Sequence, residues 1–333
     1  MEFQKNVSLK DYTTFKIGGR AKYFCIVSTK PGLVGAIKLA KKMKLPIFIL
    51  GAGSNLLISD KGFNGLVIKI ENCKLKVEFC DSRTKRKKKT KSSSHIKNCK
   101  VNAEAGVPLN KLVSVSAEKS LSGMEWAAGI PGTVGGAVYG NAGAFGKSMK
   151  DVIKTVTVLK IPNPKSDHSP FPMGWVAQPF NKGCGEIPNK FQTKKYKNKE
   201  CRFGYRDSIF KKRKDLIIIS ATLQLKKGKK KEIGNIMEEY LEYKKKTQPL
   251  NFLSAGSVFK NPKNFSAAEL VEKCGLKGKK IGNAKFSEKH ANFIVNLGGA
   301  AAQDVKKLIN LAKKSVKNKF KVKLEEEIQY LDD

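Results

Sequence analysis

Residues 46–70 read PIFILGAGSNLLISDKGFNGLVIKI, and this stretch decides the class of fold. It opens as a short apolar strand over Pro46–Leu50, breaks into a small-residue turn, and resumes as a strand rich in β-branched residues at LVIKI, 66–70. Gly51 and Gly53 fill the first two places of a G-x-G-x-x-G fingerprint, but Leu56 stands in the third. Asp60, Gly62, Asn64 and Gly65 then interrupt any helix. A Rossmann unit needs strand, turn and helix in that order, so that reading is set aside. What is left is a turn of bare backbone amides that can cradle a phosphate without a helix behind it, with Ser54 and Asn55 adding side-chain donors.

On either side the pattern is α/β. LVGAIKLAKKMK (33–44) spaces Val34, Ile37, Ala40 and Lys41 as a helix that Pro46 ends, and PLNKLVSVSAEK (108–119) is a helix with proline near its first turn. The latter leads into SGMEWAAGIPGTVGGAVYGNAGAFG (122–146), the most glycine-dense passage of the chain. Glycine at this density costs chain entropy, and its return is close approach of backbone to something flat or to phosphates. Trp126 reads as core. Towards the end, Ile233, Ile236, Met237, Tyr240 and Leu241 form the stripe of a helix, and Ser266–Glu269 is a capping box opening another. Val305, Leu308, Ile309, Ala312 and Val316 mark a third. KVKLEEEIQYL closes the chain as a strand with Val322, Leu324, Ile328 and Tyr330 on one face. The Lys-rich KKGKKKE (226–232) reads as a linker at a domain boundary. DSRTKRKKKTKSSSHIKN (81–98) has no means to bury a core and reads as a dispensable mobile loop, and 162–199 shows too little periodicity for any element.

Composition narrows the function. Across 333 residues, 66 Lys and Arg against 28 Asp and Glu leave a net charge of +38. The lysines are spread through every kind of element rather than gathered in one stripe with aromatics, which favours solvated faces over a nucleic-acid footprint. No apolar run approaches the roughly 20 residues of a membrane span, and the first residues lack a secretory h-region, so a cytoplasmic protein is expected. Seven scattered cysteines without a CxxC, and three histidines without HExxH, argue against a disulfide framework and a metal site.

Seven blocks in order carry a resemblance: TTFKIGG (13–19), LGAGSNLL (50–57), GIPGTVGGAVYGNAGAFG (129–146), FGYRDS (203–208), AGSVFKNP (255–262), SEKHANFIVN (287–296) and LEEEI (324–328). The chain resembles the UDP-N-acetylenolpyruvoylglucosamine reductases, bacterial flavoenzymes of peptidoglycan precursor synthesis. The GIPGTVGGAV form, and the direct run from YRDS into DLIIISATLQL, resemble the second class of that family. The resemblance implies an α+β / α/β fold: an FAD-binding domain of the vanillyl-alcohol-oxidase type over 1–228, in two subdomains of about 1–70 and 71–228, then a smaller α/β substrate-binding domain over 229–333.

It also implies a non-covalent FAD, NADPH as co-substrate and a UDP-sugar substrate, in a monomer that binds neither nucleic acid nor membrane. By that resemblance FAD is held by Gly51, Ala52, Gly53, Ser54, Asn55 and Leu56 and by Gly129, Ile130, Pro131, Gly132, Thr133, Gly136, Asn141 and Gly143. Arg206 and Glu327 stabilise an enediolate and Ser257 supplies a proton. Tyr205, Asn261 and His290 touch the substrate. The family pattern in LEEEI selects Glu327, and the strand period leaves Glu325, about 7 Å away on the same face, as the alternative. Two other functions stay open on the residues: another flavin oxidase on the same cofactor fold, and a basic binding module without catalysis.

Overall fold

Strand Phe63–Ile70 is buried along most of its length and has parallel neighbours on both sides, Arg20–Val27 and Ile47–Leu50. A strand covered on both faces requires the nearly continuous apolar sequence that LVIKI supplies. In the computed structural model, which describes residues 2–79, 98–162 and 191–332, an antiparallel edge at Gln4–Ser8 completes this four-stranded sheet. Helix Lys30–Lys42 joins Arg20–Val27 to Ile47–Leu50 and begins at Lys30 rather than Leu33. The reason is local: the Thr29 hydroxyl accepts from the Gly32 amide, and Pro31 sits in the first turn, where its missing N–H costs nothing. The turn after Leu50 leads into a strand, Leu56–Ile58, and not into a helix.

A second, antiparallel sheet orders Leu253–Ser257, Phe293–Asn296, Ala284–Phe286 and Lys280–Ile281. Helix Ala302–Phe320 buries Val305, Leu308, Ile309, Ala312 and Val316, as their spacing requires. Helix Ala267–Lys273 starts where the Ser266 hydroxyl accepts from the Glu269 amide. Gln329–Leu331 then returns to pair in parallel with Leu56–Ile58. Phe15, Ile17 and Leu57 consequently share one core with Leu270, Phe286, Leu308, Leu324 and Ile328. Residues 2–70 and 244–332 together make one compact unit.

The other unit comprises residues 71–79, 98–162 and 191–243. Its sheet runs Gln192–Lys197, Ile153–Lys160, Leu216–Lys227, Asn98–Glu104, Leu75–Phe79, all antiparallel, with Leu121–Ser122 pairing the end of Leu216–Lys227. Helices Leu109–Glu118, which Pro108 precedes, and Val134–Gly140 accompany it. Among the described residues no helix is long and apolar enough to cross a membrane.

Several expectations are corrected. The 226–232 stretch is no linker, because Leu216–Lys227 and helix Lys230–Thr247 nearly meet across it, and the units part within that helix, between Tyr243 and Lys244. The helix's inward stripe is Ile233, Met237, Tyr240 and Lys244, while Ile236 and Leu241 are exposed. Gln192–Lys197 is a strand and Asn198–Cys201 a 3-10 turn within the stretch left unassigned, and Asn98 already belongs to a strand. The remainder of the expected loops, 81–97 and 163–190, lies outside the described residues. The closing strand is only Gln329–Leu331, since Lys321 takes a left-handed φ of 59° and Lys323–Glu327 meander, though Leu324 and Ile328 are buried as expected.

Asp60 contributes the fold's clearest single polar contact: its carboxylate accepts from the Ala302 and Gln303 amides at 2.8 and 3.1 Å, capping helix Ala302–Phe320 from a distant loop. Asp60→Ala should lower unfolding free energy by about 1 kcal/mol, read as a shifted urea midpoint at constant slope, and Asp60→Asn should recover part of it. An unchanged midpoint in Asp60→Ala would mean that water replaces the cap at no cost.

Candidate active site

The strand that carries Ser257 is irregular by construction. Leu253 and Ser254 pair with Asn296 and Val295, but the register slips before Ser257 meets Phe293. Gly256 sits in the slip at φ +78°, where L side chains rarely go, and a bulge of this kind re-aims the residue beside it. Ser257 is half-buried, and among the described residues its hydroxyl has no hydrogen-bond partner. The residues that follow it are held firmly. Val258 donates to the Asn292 carbonyl at 2.8 Å and accepts from the Glu327 amide at 2.8 Å. Buried Asn292 grips Phe259 on both sides, its Oδ1 accepting the amide at 2.9 Å and its Nδ2 donating to the carbonyl at 2.8 Å.

The three glutamates of LEEEI are sorted by their neighbours. Glu325, 65% exposed at its side chain, pairs with Lys260 at 3.3 Å. Glu326 bridges Phe259 and pairs with Lys313 at 2.8 Å. Glu327 is the one whose main chain is fixed on both sides: its amide binds Val258, and its carbonyl accepts Asn55 Nδ2 at 3.1 Å and Gln329 Nε2 at 3.2 Å. The local structure here is an isolated antiparallel bridge at Glu326, flanked by the Lys260 amide on the Glu325 carbonyl and the Glu327 amide on the Val258 carbonyl, and not a strand.

His290 lies nearby in sequence and packs edge-on against Phe293, ring centroids 4.9 Å apart. Its Nδ1 accepts from the Asn292 amide at 3.3 Å, which assigns the neutral ring's proton to Nε2. Burial pushes its pKa below the usual histidine value, against an opposing backbone hydrogen bond. Asn261 is exposed, and its Oδ1 accepts the Ala267 amide at 3.0 Å at the start of helix Ala267–Lys273.

In the other unit, the glycine-rich passage and FGYRDS form one substructure. Gly204 and Asp207 exchange backbone hydrogen bonds of 2.9 and 3.3 Å, making a tight turn with Tyr205 and Arg206 at its tip. Arg206 has φ +53°, a left-handed backbone that costs an L residue roughly 1–2 kcal/mol. The turn is held from outside. Asn141 Nδ2 donates to the Gly204 carbonyl at 2.8 Å while its Oδ1 accepts the Lys150 amide, and fully buried Ser208 donates to the Tyr139 carbonyl at 2.7 Å. Lys211 Nζ donates to the Arg206 carbonyl at 2.7 Å. Asp207 is paired with Lys212, and the Arg206 guanidinium lies over the ring of exposed Tyr205. Asn141 therefore acts here as a support for the Arg206 turn.

Whether FAD suits these residues can be asked of each loop separately. In the first, the amides of Gly51 and Ala52 find no acceptor among the described residues, and Gly53 at φ +63° lies so close to Tyr12 that a Cβ would sit 2.1 Å from its carbonyl oxygen. In the second, helix Val134–Gly140 turns Gly135 to Ala105, where a Cβ would come to 2.9 Å of the Ala105 Cβ. Gly136 and Gly140 share another face with open space: only Thr133 Oγ1 comes within 4 Å of a Cβ at Gly136, at 3.6 Å. Bare amides and a helix face without side chains fit a diphosphate and a flat ring system. Gly143 is explained differently, since a Cβ there would lie 2.4 Å from the Lys147 carbonyl oxygen across a tight hairpin.

Comparison with known proteins agrees with this geometry. Residues 21–164 match an FAD binding domain, and residues 248–331 match the C-terminal domain of UDP-N-acetylenolpyruvoylglucosamine reductase. A UDP-N-acetylenolpyruvoylglucosamine reductase of Caldicellulosiruptor bescii is 38% identical over 338 residues, covering 100% of this chain and 92% of that one. One from Anoxybacillus flavithermus is 38% identical, covering 98% and 93%. The crystal structure of the Thermus caldophilus enzyme superposes with a TM-score of 0.71 at 33% identity, covering 100% of both chains. The chain belongs to the UDP-N-acetylenolpyruvoylglucosamine reductase family. The fold expected from the resemblance, an FAD-binding domain joined to the reductase C-terminal domain, is the fold found.

For a reductase of this family, the structure adds residues that the motifs do not single out by chemistry. Asn292 clamps the Ser257 segment, and Asn296 Nδ2 ties the Phe15 carbonyl at 2.9 Å while its Oδ1 accepts from Gly298 and Ala300. Thr14 Oγ1 donates to the Ser254 carbonyl at 2.8 Å. Each lies inside or beside a quoted block, but its partner is remote in sequence. Lys244, 5% exposed, is pushed down to about 8 by burial. Trp126 is core, its indole donating to the Gly123 carbonyl at 3.0 Å. Burial pushes the Cys25 thiol up to about 11 and Cys201 up to about 12, so both stay protonated near neutrality.

The His290 environment sets a pH dependence. Because the folded pKa lies below the unfolded one, the neutral ring's contribution is complete above the unfolded value of about 6.5 and is lost as pH falls through the folded value. Unfolding free energy measured by denaturant titration between about pH 5 and 8 should therefore fall on the acid side. His290→Gln should flatten that part of the curve, and an identical slope in wild type and variant would assign it to other groups.

Proposed function

We propose that this chain reduces UDP-N-acetylglucosamine enolpyruvate to UDP-N-acetylmuramate with NADPH, in the cytoplasm, as a second-class member of its family acting in peptidoglycan precursor synthesis. The observation that most supports the reading is the hydrogen bond of the Glu327 amide to the Val258 carbonyl, which sets the LEEEI block directly beside the residue after Ser257. A non-catalytic basic module has no use for that arrangement, and an unrelated flavin oxidase does not account for the reductase C-terminal match. We assign non-covalent FAD to Gly51–Leu56 and to Gly129–Thr133 with Gly136, and the UDP-sugar to the C-terminal part of the chain, with Asn261 and His290 as contacts and Tyr205 as a further one.

Bound FAD, reduced by NADPH, supplies hydride to the terminal vinyl carbon. The chain's own task is the charge that then develops on the neighbouring carboxylate, which becomes an enediolate and is a poor electron sink in a low-dielectric site. Arg206 grips that carboxylate bidentately, its planar fork matching the two oxygens. Glu327, in its protonated form, shares a proton with it. Ser257 delivers a proton to the α carbon, and the strong basicity of that carbon is what allows a hydroxyl to serve as the acid.

Two variants separate cofactor from chemistry. At Gly136 the fold has room for a side chain, so Gly136→Leu should keep the apo-protein's Tm and lose bound FAD, seen as a colourless preparation. Full flavin occupancy there would sink the assignment of that loop. Ser257→Ala should bind FAD and be bleached by NADPH at a near-native rate in stopped-flow absorbance. Its reoxidation by the enolpyruvyl substrate should slow by at least the roughly 10²–10⁴ typical of a general acid. Loss of the NADPH step with retention of the second would refute the role given to Ser257.

A further inference from the structure

The turn over residues 51–55 is bonded to both segments that carry the proposed acids of the C-terminal half. At one end, Asn55 holds Glu327: its Nδ2 donates to the Glu327 carbonyl at 3.1 Å, and its own carbonyl accepts the Gln329 amide at 2.9 Å. Gln329 Nε2 donates to the same Glu327 oxygen at 3.2 Å, so that carbonyl rests in a fork of two side-chain amides. In the middle, the Gly53 carbonyl accepts the Thr14 amide at 3.3 Å, and Thr14 Oγ1 in turn reaches the Ser254 carbonyl at 2.8 Å, on the strand that ends at Ser257. At the other end, Gly51 and Ala52 present amides that no described residue uses.

A ligand that takes up those amides fixes the start of a turn whose middle and end are already attached to the two acid segments. We infer that the 51–55 turn is a mechanical coupler: cofactor occupancy at Gly51 and Ala52 stiffens the positions of Glu327 and Ser257, with Asn55 as the positioning residue. This rests on the proposed FAD site and adds to it a linkage between cofactor binding and the placement of the acids. One Nδ2 hydrogen of Asn55 is spent on Glu327, which leaves the second Nδ2 hydrogen and the backbone amide as donors for the cofactor side. Thermodynamic linkage makes the effect reciprocal, so whatever orders Glu327 also tightens FAD by the same factor.

Amide hydrogen exchange of the whole chain, with and without saturating FAD, reads this directly. In wild type, FAD should slow exchange in a peptide covering 326–332, where the Glu327 and Gln329 amides reside, by about tenfold. Asn55→Ala, taken to full flavin occupancy at a saturating FAD concentration that its weakened affinity raises, should lose that added protection. Its flavin reoxidation by enolpyruvyl substrate should slow roughly three- to thirtyfold, the range of couplings carried through packed contacts. Wild type that binds FAD with unchanged exchange over 326–332 would overturn the coupling and leave the function intact. Wild type that fails to bind FAD would overturn the proposed function instead. If Asn55→Ala gains the same FAD-dependent protection as wild type, Asn55 is not the link, and if the variant does not fold, the wild-type comparison alone decides.

Discussion

The parallel pairing of Gln329–Leu331 with Leu56–Ile58 is the contact on which the C-terminal part of the chain depends. Closing a chain over so long a separation costs only slightly more than closing a shorter loop, since each doubling of length adds about 0.6 kcal/mol. What it secures is large. With Leu331 set opposite Ile58, Ile328 and Leu324 fall into the core shared by Phe15, Ile17 and Leu57, and Glu327 is left between Asn55 and Val258. A slip of one residue would exchange buried Ile328 for Glu327 at the same place, so the apolar core enforces the register that the site needs.

The same logic, with different means, governs the other unit. A left-handed arginine is unfavourable in isolation, and the surroundings over-determine it: paired amides across the turn, the Asn141 and Ser208 side chains from either side, and Lys211 on the carbonyl. Asn141 is itself left-handed at φ 45°, ending helix Val134–Gly140. The helix end and the arginine turn are thus one device, which explains why GNAGAFG and FGYRDS, remote in sequence, carry their information together.

Much of this was legible in the residues, for reasons that differ by element. The helix over Val305–Val316 and the cap at Ser266 announce themselves because burial there follows local periodicity and a local hydrogen bond. The rejection of a Rossmann turn at 51–56 needed only the residues that break a following helix. The stripe on helix Lys230–Thr247 is ambiguous in sequence because apolar residues stand on two faces and only one is covered. Lys244, chemically identical to Lys245 and Lys246, is buried by phase alone. The supports were illegible for a further reason: Asn292, Asn141 and Asp60 act through partners that only the tertiary fold brings within 3 Å.

The three consecutive glutamates show how tertiary partners give adjacent identical residues different surroundings. Exposed ion pairs contribute little to stability, typically about 0–1 kcal/mol, so Lys260, whose partner Glu325 is 65% exposed, is not what holds the segment in place. Their effect is to discriminate. Lys260 draws Glu325 outward and Lys313 takes Glu326, each stabilising one orientation of a meander that has no strand ladder to orient it. Lys306 does the same at Asp332, 2.8 Å away, just past the closing strand. In a chain of net charge +38, lysine is abundant enough that every carboxylate meant for the surface can be given a cation. Glu327 differs from Glu325 and Glu326 in its backbone, which the Val258 carbonyl holds at the amide and Asn55 and Gln329 hold at the carbonyl.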